Sequence, residues 1–220
     1  TMRLLTGIIP DDSNSIFLFE KPIESQIPNI FEKVGALVES PALYLHLSGY
    51  DNVKYIALLR QVPLSKIDEV LELVDLTAYK RQKAKQYSLG MKQRLAIAMA
   101  LLSEPELLFL DEPVNGLDPN GIVEIRKLLV KINKEKGVTI FVSSHLLSEI
   151  EKMCTHIGII SKGTLKYEGT MEDLSRKFET CKIQITLDEA ESWKEKLSSK
   201  YANVVLEEQN KITMNLNHTS

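Results

Sequence analysis

Two short apolar runs, Leu107–Leu110 and Val138–Val142, flank one long amphipathic stretch, and this arrangement restricts the fold more than any other feature of the chain. Runs of this length without regular polar alternation read as strands buried on both faces. Between them, Asp118 stands as an N-cap with Pro119 at the first helical position. Ile122, Ile125, Leu129 and Ile132 recur at helical spacing, and Lys134, Lys136 and Gly137 close the helix. Residues 112–137 exceed the dozen or so that a parallel crossover needs, so the pair reads as a right-handed βαβ unit. The first strand ends in Asp111-Glu112-Pro113 and the second in Ser143-Ser144-His145. Asp111, Glu112 and His145 therefore share one edge of one sheet. In open parallel sheets ligands bind beyond the carboxyl ends of the strands, which makes this edge the candidate site.

The rest of the chain supplies layers for that sheet. Met2 to Thr6 reads as the tail of a helix stopped by Gly7, and the turn Ile9-Pro10-Asp11-Asp12 leads into the apolar run Ile16 to Phe19. Ser65, with Asp68 three residues on, reads as the N-cap of a helix carrying Ile67, Val70, Leu71 and Val74. A second helix follows Ser88, with Leu95, Met99 and Leu102 on one face and Pro105 beyond its end. Ile157–Ile160 and Leu165–Tyr167 flank Ser161-Lys162-Gly163 as a hairpin would. Past residue 178 the pattern changes. Cys181, Ile183, Ile185 and Leu187 alternate with polar residues, Trp193 and Leu197 lie on a charged helix, and Val204 to Leu206 and Ile212, Met214, Leu216 follow as strands. The order is that of a small βαββ unit.

Composition narrows the function classes. The 220 residues are 44% hydrophobic and 26% charged with a net charge of −3, enough to bury a core and without the broad basic field that a nucleic-acid backbone attracts. Cys154 and Cys181 lack any metal-ligand spacing and read as ordinary buried thiols of a reducing compartment. No apolar run reaches the roughly 20 residues that cross a bilayer. The first residue is Thr1 rather than Met, so the natural N-terminus is expected to lie upstream, and a signal peptide there stays open.

The acidic pair Asp111-Glu112 suits one carboxylate near a Mg2+ ion on ATP and the next facing the attacking water, although such a pair alone is also what a solvated turn presents. Ser88-Leu89-Gly90 at a helix start offers free backbone N–H groups and a positive dipole end to a phosphate, or is simply a serine N-cap. Order decides between these readings: SLGMKQR at Ser88–Arg94, LLFLDEP at Leu107–Pro113, NGLD at Asn115–Asp118 and SSH at Ser143–His145.

Together these motifs resemble the ATP-binding cassette (ABC) family over residues 1 to about 175. The resemblance implies an α/β fold with a P-loop NTPase-type sheet and helices on both faces. Residues 1–177 would form the cassette, with a helical subdomain over about 40–102, and 178–220 a small α+β extension. It implies ATP and Mg2+ as cofactors, Asp111 as the metal residue holding Mg2+ through water, Glu112 as general base and His145 on the γ-phosphate. Ser88, Leu89, Gly90, Met91, Lys92 and Gln93, as the signature motif, would bind the γ-phosphate of ATP held by a second cassette in a head-to-tail dimer, with Asp118 communicating across it. Where the family has glutamine, the segment Gly35–Pro41 offers Glu39, a carboxylate either near the nucleotide or in a surface loop. Glu-Ser-Pro-Ala-Leu-Tyr in that segment, with the βαββ tail, is similar to cassettes of bacitracin-resistance and lantibiotic-immunity exporters. The implied partner is a membrane-spanning permease docked by the loop Glu39–Asp51, with no nucleic acid, and the implied location is cytoplasmic at the inner face of the membrane. Readings left beside this one are a non-hydrolysing regulatory cassette and a soluble ABC ATPase of repair or translation.

One departure is large. None of the ten glycines is followed by lysine, so the phosphate-cradling Gly-x-x-x-x-Gly-Lys-Ser/Thr does not occur in the 220 residues. Thr1–Leu5 resembles the helix that directly follows that loop, so the loop, its strand and an adenine-stacking aromatic are expected just ahead of Thr1. The chain alone would then hold ATP poorly.

Overall fold

The parallel unit expected from the two apolar runs is present in a computed structural model of the chain, which describes residues 1–11, 13, 15–39, 41–178, 180–186, 190–198, 204–207 and 211–217. Thr1–Met153 is one compact unit and Cys154–Ser220 another, a division ahead of the expected boundary at 177. The first unit runs α1 (Met2–Leu5), β1 (Phe17–Leu18), β2 (Lys21–Pro22), α2 (Ile30–Lys33), β3 (Val34–Leu37) and α3 (Gly49–Leu59). It continues with α4 (Lys66–Leu73), α5 (Leu89–Leu101), β4 (Leu107–Asp111), α6 (Pro119–Lys136), β5 (Thr139–Ser143) and α7 (Leu147–Ile150).

Strands β3, β4 and β5 form a parallel sheet in that order. The register sets Leu37 beside Leu110, and Asp111 beside Ser143. Side chains of β4 alternate between two layers, as a central strand requires. Leu108 and Leu110 join a cluster with Leu95, Ile97, Ile125 and Leu129 from α5 and α6. Phe109 joins Met2, Ile23, Ile30 and Val34 on the opposite face. Helices thus cover both faces, which is why β4 reads as a continuous apolar run. Around α6 the end signals act as expected: Asp118 Oδ1 accepts the Gly121 N–H at 3.0 Å, and Gly137 closes the helix at φ 69°.

Strand β3 was not anticipated. Gly35 interrupts its apolar run, and the reason is a close approach: a Cβ there would lie 2.5 Å from the Ala100 carbonyl oxygen of α5. Gly35→Ala is therefore expected to lose about 1–3 kcal/mol by overpacking. A urea unfolding midpoint unchanged from wild type would show that α5 simply moves away.

Helix α3 was also unread. Ser48 caps it by accepting the Asp51 N–H at 3.0 Å, and the fully buried Asn52 side chain bonds Tyr44 and the Ser48 carbonyl, pinning the chain that enters it. Ser65, by contrast, does not cap α4. Its backbone is already helical and its side chain makes no cap bond. The entry turn is made instead by the Pro63 carbonyl accepting the Lys66 N–H at 3.0 Å. Near the start, Gly7 at φ 69° ends the α1 turn as expected. The run Ile16–Phe19 holds only the two-residue β1, because Phe19 and Glu20 take left-handed values, φ 52° and 66°, and turn the chain into β2.

The second unit opens with the expected hairpin, β6 (His156–Ser161) and β7 (Thr164–Thr170), turned by Lys162 and Gly163 at φ 51° and 74°. Then come α8 (Met171–Phe178), β8 (Thr180–Thr186), α9 (Ala190–Ser198), β9 (Val205–Glu207) and β10 (Lys211–Asn217). The antiparallel order β8-β10-β9 agrees with the βαββ pattern, although Leu187 lies outside the described residues. Cys154 is a free thiol, pushed up in pKa by burial, while the Cys181 side chain lies outside the described set. Among the described residues no helix is long and apolar enough to cross a membrane.

Candidate functional site

Asp111 ends β4, and the next residue leaves the strand. Glu112 adopts a left-handed φ of 47°, which breaks the alternation that would send neighbouring side chains to opposite faces. Its carboxylate meets His145 beyond the end of β5, with Oε2 3.0 Å from Nδ1. An ionised carboxylate only accepts, so Nδ1 carries the proton in this contact. The Glu112 N–H is held between the Ser143 hydroxyl, at 3.0 Å, and the Ser143 carbonyl, at 3.2 Å. The Ser143 hydroxyl in turn donates to Asp111 Oδ1. Behind His145, Arg126 of α6 grips Glu149 of α7 at 2.6 Å, with the two side chains 19% and 14% exposed. Burial pushes the Glu149 carboxyl up, but Lys152 and Arg126 outweigh it and hold it below the usual carboxylate range.

Glu39 stands just past β3, on the same carboxyl edge, at φ 68°. Its carboxylate is paired with Arg3 of α1. The hydrogen bond that Arg3 donates to Glu39 is the main reason that the Arg3 pKa is raised, and Asp111 adds a weaker attraction. The negative charge placed here by Glu39 therefore has a counter-ion within the chain.

The Ser88–Gln93 segment opens α5. Ser88 Oγ accepts the Met91 N–H at 3.2 Å, and the Ser88 carbonyl accepts the Lys92 N–H at 2.9 Å, so the N–H groups of Leu89 and Gly90 remain at the helix start. Ser88 and Leu89 are exposed and Gln93 is buried. This end packs on the Asn115–Asp118 segment: a Cβ on Gly116 would meet Leu89 at 3.3 Å, and one on Gly90 would meet Leu117 at 3.9 Å. Asp118 spends Oδ1 on the α6 cap. No hydrogen bond or ion pair among the described residues joins Ser88–Gln93 to Asp111, Glu112 or His145.

Sequence reasoning missed Ser143 and Arg3 as members of the acidic edge. Register alone reveals Ser143, because it sits directly across from Asp111. Arg3 and Glu39 are 36 residues apart, and no spacing rule joins them.

Would this edge suit Mg2+? Among the described residues, no group of three or more His, Cys, Asp or Glu side chains is arranged to hold a metal. Asp111 offers one hard oxygen, Oδ2, that Ser143 leaves free. That matches Mg2+, which usually keeps several waters and takes one or two carboxylates plus substrate phosphates rather than a protein cage. The residues fit.

A parallel α/β sheet with acids and a histidine at its carboxyl edge defines a ligand-binding α/β class of protein, and comparison with known proteins makes the family explicit. The ABC transporter family model matches residues 1–115, and the chain belongs to that family. It is 44% identical over 177 residues to the bacitracin transport ATP-binding protein BcrA of Enterococcus faecalis, covering 80% of this chain and 58% of that protein. It is 42% identical over 181 residues to the lantibiotic transport ATP-binding protein SrtF of Streptococcus pyogenes, covering 80% of this chain and 77% of that one. Among solved structures, cbiO1 of Clostridium perfringens, part of the ABC transporter complex cbiONQ, superposes with a TM-score of 0.71 at 31% identity, covering 78% of this chain and 72% of that one. The chain spans just over half the length of the first curated relatives it matches.

Proposed function

We propose that these residues belong to the ATP-hydrolysing subunit of an ABC transporter that exports peptide antibiotics or related compounds. The carrying observation is the meeting of Asp111, Glu112 and His145 at one sheet edge, with Glu112 bonded to His145 at 3.0 Å. Family membership and the similarity to BcrA and SrtF support the transporter reading.

In this proposal Glu112 accepts the proton of the water that attacks the terminal phosphate, a task that requires only a carboxylate within hydrogen-bond reach. His145 releases Glu112 and turns to a phosphate oxygen. Asp111 would hold Mg2+ through water. Bound Mg2+ would supply charge neutralisation across the phosphates. Ser88 to Gln93, with the Leu89 and Gly90 N–H groups, face the nucleotide of a second cassette, which explains their separation from the acidic edge. Asp118, already the cap of α6, relays the state of that interface, and Glu39, paired with Arg3, lies near the nucleotide. The cassette runs to residue 177, with 178–220 as an appended α+β unit. A membrane-spanning permease at the inner face of the membrane docks on the loop Glu39–Asp51.

The test is Mg2+-dependent phosphate release by a form carrying a Gly-x-x-x-x-Gly-Lys-Ser/Thr loop ahead of Thr1. Turnover indistinguishable from buffer, in a folded protein that binds nucleotide, would overturn the hydrolytic reading in favour of a regulatory cassette.

A further inference from the structure

We infer that Ser143 is a positioning residue that fixes Asp111 and Glu112 in their separate tasks; the inference rests on the ATPase reading above. A serine hydroxyl has one proton to give and two lone pairs to receive with. Here the proton goes to Asp111 Oδ1, and a lone pair takes the Glu112 N–H at 3.0 Å. One oxygen atom thus bridges two consecutive residues of the neighbouring strand, at the point where the register sets Ser143 directly beside Asp111.

Each half of the bridge has its own consequence. Occupying Oδ1 limits rotation of the Asp111 carboxylate and leaves Oδ2 as the oxygen that would serve a bound Mg2+. Accepting the Glu112 N–H holds the backbone where Glu112 leaves the strand at φ 47°, a conformation that non-glycine residues keep only when their surroundings enforce it. Ser143 is half-buried, so water competes weakly for either bond. Its neighbour Ser144 cannot substitute, because its hydroxyl accepts the Leu146 N–H at 3.1 Å and shapes the turn behind His145.

Threonine and valine have nearly the same shape and differ at this position by the hydroxyl alone, so the pair S143T and S143V isolates it. Both would be made in the loop-carrying protein and titrated with Mg2+ at fixed ATP, following nucleotide binding by fluorescence and, separately, phosphate release. S143V is expected to raise the Mg2+ concentration for half-maximal binding roughly tenfold, the size of a lost bond to a charged group, and to lower kcat, while S143T stays near wild type on both counts. Variants that both match wild type overturn the inference. Variants that are equally impaired overturn it too, since shape rather than the hydroxyl would then matter. If wild type binds Mg2+ and nucleotide but releases no phosphate, the ATPase reading fails, and the binding titration still judges Ser143.

Discussion

Glu112→Gln, made in a protein carrying the phosphate loop, is expected to lower kcat for ATP by about 100- to 10,000-fold, the span of a lost general base. Nucleotide affinity should change by no more than a few-fold. The amide keeps the volume of the acid, and its oxygen still accepts a hydrogen bond from His145 Nδ1–H, so the 3.0 Å contact survives. The backbone bonds from the Glu112 N–H to Ser143 do not involve the side chain at all. What disappears is the ability to take a proton from water. Single-turnover phosphate release beside an equilibrium binding titration separates the two quantities. A kcat within threefold of wild type would move the base elsewhere, and a parallel collapse of binding would make Glu112 a structural residue instead.

The second large effect concerns binding. The 220 residues alone are expected to hold MgATP no better than millimolar, and a form with a Gly-x-x-x-x-Gly-Lys-Ser/Thr loop ahead of Thr1 to bind at least about 100-fold more tightly. Charge-assisted hydrogen bonds contribute roughly 1.5–3 kcal/mol each, so two added donors already account for that ratio. The present edge instead concentrates carboxylates, Glu39, Asp111 and Glu112, with Arg3 tied to Glu39. Isothermal titration of the chain as it stands provides the check. Micromolar affinity there would mean that phosphates find donors in this chain that the arrangement does not reveal.

The βαβ unit was legible because every local signal agreed. Asp118, Pro119 and Gly137 mark the ends of α6, and β4 buries alternate side chains in two cores, so both its faces are apolar. Where signals conflict, the elements were missed. In β3, Gly35 looks like a breaker but is there to admit the Ala100 carbonyl. In α3, the exposed Tyr55, Leu58 and Leu59 put apolar groups on the solvent side and blur the period that Val53 and Ala57 set. Ser65 showed the reverse error, a capping residue in name whose backbone was already helical. At the site, strand ends located Asp111, Glu112 and His145, because a strand's direction follows from its neighbours along the chain. The Arg3–Glu39 pair and the Ser143 bridge depend on which strands and helices lie side by side, and only the fold supplies that.

Gly116, at φ 75° and so placed that an added Cβ would lie 3.3 Å from Leu89, carries a last consequence. Any side chain introduced there strains the loop after the acidic strand and presses on the first residue of α5 at the same time. Substitutions in NGLD and in SLGMKQR should therefore rescue or worsen one another, and surveys that treat the two motifs as independent will misassign their epistasis.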